Sequence, residues 1–218
     1  MKKIDAISIP FYEFNSGIEL AEEVLADVKT KNLRPGNAPE QGNILHNYYH
    51  EKLFNFFKSA VQSVKHLYYK DTLEFPITEC WVNEYKTMSR LNKHHHPNSV
   101  ICGLYYLTEH DKNYSTIFNA NNPWTHSVPT ESFMQLSIAR NNIPLSGETI
   151  PEIGKLILFP AGLWHYMNTI SPKDKPNDKV LRYTIAFNTF ADGVVSDHST
   201  MALQLKSVSL KEKLGINL

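Results

Sequence analysis

Two segments in the first third of the chain repeat apolar residues with the spacing of a helix. In residues 18–31 and 48–69, apolar side chains recur every three or four positions, and the second segment adds several aromatic rings. The recurring residues are Ile18, Leu20, Ala21, Val24, Leu25 and Val28, then Leu53, Phe54, Phe57, Ala60, Val61, Val64 and Leu67. One apolar face on each segment predicts two helices that pack against a sheet, and the aromatic stripe is more typical of a core than of a cofactor site.

From residue 76 onward the pattern changes to short stretches in which apolar and polar residues alternate. Strands are predicted at residues 78–85, 100–108, 114–119, 133–139, 155–159, 165–169 and 180–190, separated by Pro, Asn and Gly turns. The polar run 171–179 predicts a hairpin loop, and the tail from Ser196 predicts a peripheral helix or an arm that contacts a partner. Short strands after helices indicate a mainly β (α+β) fold whose sheet closes on itself or packs as a jelly roll.

The length of 218 residues suits a single domain of this kind, and no internal repeat or low-complexity segment divides it. We expect one catalytic domain over residues 1–218. Within it, residues 1–75 form a helical support, 76–190 the β core and 191–218 a C-terminal extension.

Charge and cysteine content narrow the classes of partner. The 22 basic and 22 acidic residues cancel, which predicts neither nucleic acid nor an anionic membrane surface as a partner. No run approaches the length of a transmembrane helix, and the N-terminal residues lack the apolar core of a signal peptide. Cys80 and Cys102 lie in apolar strand-like segments, which favours free thiols and a reducing cytoplasm. The apolar segment 201–205 suggests a homodimer.

Three histidines have the order and spacing of a metal site. In an extended segment His94 and His96 share one face and His95 points to the other. His165 follows much later, after an apolar strand that is broken at Pro160 and Gly162. Taken separately, the run fits a solvated loop and His165 fits a core residue, so the argument for a metal depends on the combination.

Residue parity in the strand predicted over 180–190 identifies a second candidate feature. Alternation places Arg182, Thr184, Ala186 and Asn188 on one face and apolar residues on the other. A small polar face around a single Arg suits a barrel lumen that holds a polar ligand. The alternative is an outer solvent face, which would more usually carry several charges.

Residues 76–190 resemble the 2-oxoglutarate- and Fe(II)-dependent oxygenases of the prolyl-hydroxylase-like kind, most closely a group of such oxygenases in phages and bacteria. The matching pieces, in order, are Trp81-Val82-Asn83, His94-His95-His96-Pro97-Asn98-Ser99, Cys102-Gly103-Leu104-Tyr105-Tyr106-Leu107, Gly154-Lys155-Leu156-Ile157-Leu158-Phe159-Pro160 leading to His165, and Arg182-Tyr183-Thr184-Ile185-Ala186-Phe187-Asn188. The pieces are moderately specific singly and strong as a set, whereas the N-terminal segment and the tail add no weight.

The resemblance implies a double-stranded β-helix with the helices packed outside and the iron at one open end. It implies that His94, His96 and His165 are the catalytic metal ligands, with open positions for 2-oxoglutarate and dioxygen. It also implies that Arg182 and Thr184 hold the far carboxylate of 2-oxoglutarate, with Tyr106 and Asn83 beside them. The implied activity is hydroxylation of a peptidyl or small-molecule substrate, with release of succinate and carbon dioxide.

The sequence departs from the family at one ligand, because His96 stands where Asp or Glu is usual. We interpret His96 as a ligand. Replacing a carboxylate by neutral imidazole raises the charge of the centre by one, which could shift its redox potential or admit zinc. If the turn there is irregular, His95 and His96 could exchange roles.

Three other readings stay open on the sequence alone. A cupin-type enzyme could use three histidines without 2-oxoglutarate and would have no need of Arg182. A barrel that binds a metal or ligand without catalysis fits if His96 prevents oxygen activation. A nucleic-acid demethylase is disfavoured by the neutral charge. Candidate wall residues of the substrate site are Trp164, Tyr166 and Phe187, each equally suited to a core.

Overall fold

The computed structural model describes residues 11–33, 44, 48–68, 73–86, 89–109, 115–119, 146–167, 180–195 and 203–205. The predicted strand over 133–139 and the predicted loop over 171–179 lie outside these residues.

The larger of two facing sheets has five antiparallel strands. They are β1 (Tyr12–Asn15), β3 (Ile77–Lys86), β5 (Ile101–Tyr106), β8 (Lys155–Pro160) and β10 (Val180–Thr189). Their spatial order is β1-β8-β5-β10-β3. The central strands β5 and β8 are buried on both faces, because one face meets the helices and the other faces the lumen.

The smaller sheet has four strands and carries two of the three histidines. They are β4 (Leu91–His94), β6 (Thr116–Asn119), β7 (Ser146–Thr149) and β9 (Trp164–Met167), in the order β4-β9-β6-β7. Phe118 of this sheet packs on Phe159 of the larger one with ring centroids 5.0 Å apart, so the two sheets enclose a common interior. The result is the predicted mainly β double-stranded β-helix.

Two helices cover the outer face of the larger sheet, as the apolar periodicity predicts. They are α1 (Ile18–Thr30) and α2 (Glu51–Tyr68). Phe57 of α2 lies 4.6 Å from the ring of Phe187 and 5.4 Å from that of Tyr105, measured between centroids. The imidazole of His50 caps α2 by accepting a hydrogen bond from the backbone N–H of Leu53 at 3.3 Å. None of the helices in the described ranges is long and apolar enough to cross a membrane.

A third, small sheet joins β2 (Leu73–Glu74), β11 (Asp192–Val195) and β12 (Leu203–Leu205). The tail is therefore a strand rather than a helix over Leu203–Leu205, because this segment pairs antiparallel with β11 of its own chain. The predicted homodimer through residues 201–205 stays a prediction. The segment assigned to helical support also contains β1, which pairs with β8.

The register of β10 determines which side chains meet in the interior. This strand lies between β3 and β5, so that Thr184 is opposite Asn83 on one side and Tyr106 on the other. Asn188 is likewise opposite Glu79 and Cys102. Residues from three strands far apart in sequence thus meet on one face of the sheet.

Candidate active site

Three imidazoles meet at one end of the interior. His94 and His165 are direct partners across β4 and β9, and their ring centroids are 4.2 Å apart. His96 lies just beyond β4, where its backbone N–H donates to the carbonyl of Ala161 at 3.0 Å, and its ring is 5.2 Å from His94 and 5.1 Å from His165. One ligand atom from each of the three lies within 4.8 Å of the others.

Burial keeps these imidazoles neutral. The pKa of His94 is lowered, that of His96 is lowered to about 4, and that of His165 is lowered well below its usual range. Desolvation by burial is the largest cause in each ring. The positive charge of a neighbouring protonated histidine would act in the same direction, from His95 on His94 and from His94 and His95 on both His96 and His165. Neutral imidazole is the form that coordinates metals, so burial gives all three rings the charge state that a ligand needs at neutral pH.

The hydrogen bonds of two rings leave the Nε2 lone pair free. Nδ1 of His94 lies 2.8 Å from the carbonyl oxygen of Asn92, and Nδ1 of His165 lies 3.1 Å from that of Leu163. A carbonyl can only accept, so Nδ1 carries the proton in both rings and Nε2 can bind a metal. The set of three neutral nitrogen donors therefore fits a divalent transition metal.

His95 lies on the other side of the segment. Its ring packs against Trp164, with centroids 4.5 Å apart, and it is not part of the cluster of three. Trp164 and Tyr166 alternate with the buried His165 along β9 and are not among the described residues that line the cavity. The parity of β9 turns both side chains away from the lumen that His165 faces, and their role as walls of a substrate site stays a prediction.

Arg182 lies at the inner end of the same cavity and is 1% exposed. Its Nη2 donates to Thr116 Oγ1 and its Nη1 to Met167 Sδ, each at 3.0 Å. The rings of Tyr85 and Tyr106 flank the guanidinium at 5.0 and 4.9 Å. Arg182 is thus held in a fixed orientation by neutral groups from both sheets.

Thr116 connects the two sheets at this point. Its hydroxyl accepts from the phenol of Tyr106 at 3.0 Å as well as from Arg182. Burial raises the pKa of the Tyr106 and Tyr85 phenols despite the opposing effect of the Arg182 charge, so both remain hydroxyls. A guanidinium surrounded by hydroxyl groups is suited to hold a carboxylate.

Thr184 and Asn83 form a second polar chain along the larger sheet. Asn83 donates from Nδ2 to Thr184 Oγ1 at 3.2 Å and accepts from the indole N–H of Trp81 at 3.1 Å, and Thr184 hydrogen-bonds to Tyr85. Trp81 in turn lies 5.9 Å from the ring of His96. This chain runs from the histidine cluster to the surroundings of Arg182.

The cavity between the histidines and Arg182 measures about 440 Å³ with its open mouth included. Its described lining is mostly apolar and contains no carboxylate: Trp81, Asn83, Tyr85, Leu91, His94, His96, Cys102, Gly103, Leu104, Thr116, Phe159, His165, Arg182, Ala186, Phe187 and Asn188. Of the predicted residues, Tyr106 and Thr184 lie just behind this lining. Phe187 borders the cavity but packs mainly on α2.

Sequence reasoning missed Thr116, Tyr85 and Trp81 as part of this site. Tyr85 and Trp81 share the alternation of Asn83 along β3, which is a signal that could have identified them. Thr116 begins a strand that contributes only four residues, and nothing local marks its contact with Arg182.

Three convergent imidazoles share the cavity of this double-stranded β-helix with a buried Arg, which is an arrangement suited to a metal-dependent enzyme. The model of a family described as "Putative 2OG-Fe(II) oxygenase" matches residues 79–188. The chain belongs to this family of 2-oxoglutarate- and Fe(II)-dependent oxygenases. It is accordingly an oxidoreductase whose metal is Fe(II) and whose co-substrate is 2-oxoglutarate.

Solved structures agree with the fold at low sequence identity. HygX from Streptomyces hygroscopicus, with nickel and 2-oxoglutarate bound, has a TM-score of 0.52 at 11% identity, over 84% of this chain and 82% of HygX. The nickel complex of the non-heme monooxygenase ThoJ has a TM-score of 0.54 at 12% identity, over 93% of this chain and 82% of its own. No curated protein matches the sequence.

Proposed function

We propose that this enzyme hydroxylates a peptidyl or small-molecule substrate, with one oxygen atom of dioxygen entering the substrate and the other entering succinate. In this proposal His94, His96 and His165 hold Fe(II), and the far carboxylate of 2-oxoglutarate lies against Arg182. When bound, the iron supplies the activation of dioxygen that is coupled to loss of carbon dioxide from 2-oxoglutarate.

The observation that carries the proposal is the position of Arg182. Its guanidinium is fully buried at the inner end of a cavity whose other end holds three neutral imidazoles. A dicarboxylate with a metal-chelating oxo-acid group at one end matches that arrangement of one cation and one metal site. A cupin-type metal centre would make no use of a cation at that depth.

The side chains around Arg182 and the three histidines have separate roles in this proposal. Thr116 and Tyr106 present hydroxyls beside the guanidinium, and Tyr85 covers one face of it. Thr184 and Asn83 fix the position of Tyr85 and Trp81 through their hydrogen-bond chain. Trp81, Phe159 and Leu104 supply apolar walls to the cavity that the three histidines also line.

Two classes of substrate remain in the proposal, a peptidyl side chain and a free small molecule. A structure of HygX contains hygromycin B together with nickel and 2-oxoglutarate, so a fold of this kind accommodates a small molecule. Mass spectrometry for a product heavier by one oxygen atom would identify the substrate.

Calorimetry with manganese(II) under anaerobic conditions tests the co-substrate assignment. We expect 2-oxoglutarate to bind to the wild type, and Arg182→Ala to weaken this by about 2–5 kcal/mol, the usual range for truncating one member of a buried charge pair. Arg90→Ala removes the same charge from an exposed position and should leave binding unchanged. No binding at millimolar 2-oxoglutarate would favour the cupin-type or the non-catalytic alternative.

A further inference from the structure

His96 differs from the other two histidines in what faces its Nδ1. Where His94 and His165 face carbonyl oxygens, His96 faces the side-chain amide of Asn188, whose Nδ2 lies 3.4 Å from Nδ1. Asn188 is 4% exposed and lines the cavity. Among the three described rings, His96 therefore has a side-chain amide at Nδ1 where the other two have a backbone carbonyl.

The orientation of the Asn188 amide is fixed from both sides of β10. Its Nδ2 donates to Glu79 Oε2 at 2.9 Å, and a carboxylate can only accept. Its Oδ1 accepts from the thiol of Cys102 at 3.1 Å. Glu79 and Cys102 are the direct cross-strand partners of Asn188 on β3 and β5, so the strand register itself places both groups.

This orientation determines where the proton of His96 lies. The NH2 end of the amide points at Nδ1, and an N–H at that nitrogen would set two donors against each other. Nδ1 of His96 therefore holds a lone pair, and its single proton is on Nε2. His94 and His165 have the opposite tautomer.

We infer that Asn188 is a positioning residue that controls whether His96 can join the metal centre. His94 and His165 are preset as Nε2 ligands, whereas His96 coordinates through Nε2 only after the amide of Asn188 turns over and accepts a proton at Nδ1. Glu79 opposes that turn, because its carboxylate would then face the carbonyl end of the amide. The inference rests on the proposed metal site and adds a residue pair, Glu79 and Asn188, that regulates it.

A double substitution reverses the hydrogen-bond direction without changing net charge. In Glu79→Gln with Asn188→Asp, the new carboxylate at position 188 accepts from the amide at 79 and from Nδ1–H of His96. This variant should bind cobalt(II) about 10–100 times more tightly than the wild type. Changes of this size are usual when a residue that hydrogen-bonds to a metal ligand is substituted. Affinity is measured by competition with a chelator, followed by the visible absorption of the bound cobalt(II).

The tautomer itself is read by nitrogen-15 NMR of the metal-free protein. We expect His96 of the wild type to carry its proton on Nε2 and that of the double variant on Nδ1, with His94 and His165 protonated at Nδ1 in both. Since the wild-type spectrum needs no substitution, it decides the question even if the double variant does not fold. Glu79→Gln alone, at an exposed position, should tighten cobalt(II) binding in the same direction.

Two results would overturn the inference: a wild-type His96 already protonated at Nδ1, or a double variant that binds cobalt(II) no more tightly than the wild type. A wild type that binds no divalent metal is a different failure. It would remove the proposed function, while the NMR result on the tautomer would still report the contact between Asn188 and His96.

Discussion

At the scale of single residues, the metal-binding character of the histidines comes from burial together with the group at each Nδ1. Desolvation keeps the rings uncharged, and two backbone carbonyls orient His94 and His165. Backbone carbonyls cannot be altered by substitution, so these two ligands are determined by the path of the chain. His96 depends on a side chain and is the more easily modified ligand.

We predict that His165→Ala removes most binding of one divalent metal ion per chain. The ring is 4% exposed and lies within ligand distance of both other histidines, so its loss leaves too few donors for a stable centre. His95→Ala is the matched control, since it changes the same residue type in the adjacent run and should leave metal content nearly intact. Metal content is measured by mass spectrometry of the purified proteins.

His96→Ala should also weaken metal binding, by less than His165→Ala. If His95→Ala weakened metal binding more than His96→Ala, the second ligand would be His95 instead of His96. Full metal occupancy in His165→Ala would contradict the assignment of the whole site.

Much of this site could be predicted at the residue scale because alternation along a strand is local. His94 and His96 share one face, and so do Arg182, Thr184 and Asn188, and both inferences need only the parity of an extended chain. The contact between Thr116 and Arg182 could not be predicted in this way. It depends on how the smaller sheet packs over the larger one, which no short stretch of sequence encodes.

At the scale of elements, β10 separates the site from the core. Its inward residues Arg182, Ala186 and Asn188 line the cavity, and its outward Phe187 packs between α2 and the sheet, 4.6 Å from Phe57 between ring centroids. Gly103 on the neighbouring β5 lies directly opposite Phe187, and the absence of a side chain there makes room for the ring. The packing of α2 on the sheet thus depends on one glycine.

We predict that Gly103→Ala lowers the free energy of unfolding by about 1–3 kcal/mol, the usual cost of overpacking. The added Cβ would overlap the ring of Phe187, which cannot move freely because Phe57 lies behind it. Gly162→Ala is the control, because a Cβ there meets no atom within 4 Å. Urea unfolding measures both, and equal stability of the two variants would contradict this account of the packing.

The elements that sequence reasoning found and those it missed differ in length and in polarity. Both helices and the longer core strands β3, β5, β8 and β10 have enough apolar residues to show a period, whereas the four-residue β1 does not. β2 and β12 have two and three residues, too few for any alternation. β4 was missed for another reason, because the inward residue at its end is His94, so a functional strand reads as a polar loop.

At the scale of the whole molecule, the site joins parts of the chain that are remote in sequence. A metal at the three histidines would tie β4 to β9 and to the segment after β4. A ligand that binds only the folded state stabilises it, by about 2.7 kcal/mol at a concentration one hundred times its dissociation constant. Metal binding at the three histidines would therefore raise the free energy of unfolding of the whole domain.

We predict that the metal-free protein loses stability as the pH falls from about 6.5 to about 4. His96 has an ordinary pKa of 6.5 when unfolded and a pKa of about 4 when folded, so the unfolded state binds more protons in that window. The lost stability is about 3 kcal/mol for this ring alone, and His94 and His165 shift in the same direction. Above pH 6.5 this contribution to the free energy of unfolding should be fully present.

Urea unfolding of protein treated with EDTA, at pH 7.5 and pH 5, checks this prediction. His96→Gln should show a smaller difference between the two conditions, because one of the three titrating groups is gone. Equal stability of the wild type at both values would show that the rings are not desolvated as described.

The two irregularities in the pairing of β10 with β3 lie between Val180 and Arg182 and between Asn188 and Thr189. The regular stretch between them is the one that carries Arg182, Thr184, Ala186 and Asn188 to the interior. One inserted or deleted residue within that stretch would exchange its inward and outward sets and place the apolar residues in the cavity. In natural homologues of different length, insertions and deletions should therefore lie outside residues 182–188. This segment should align without gaps across the family.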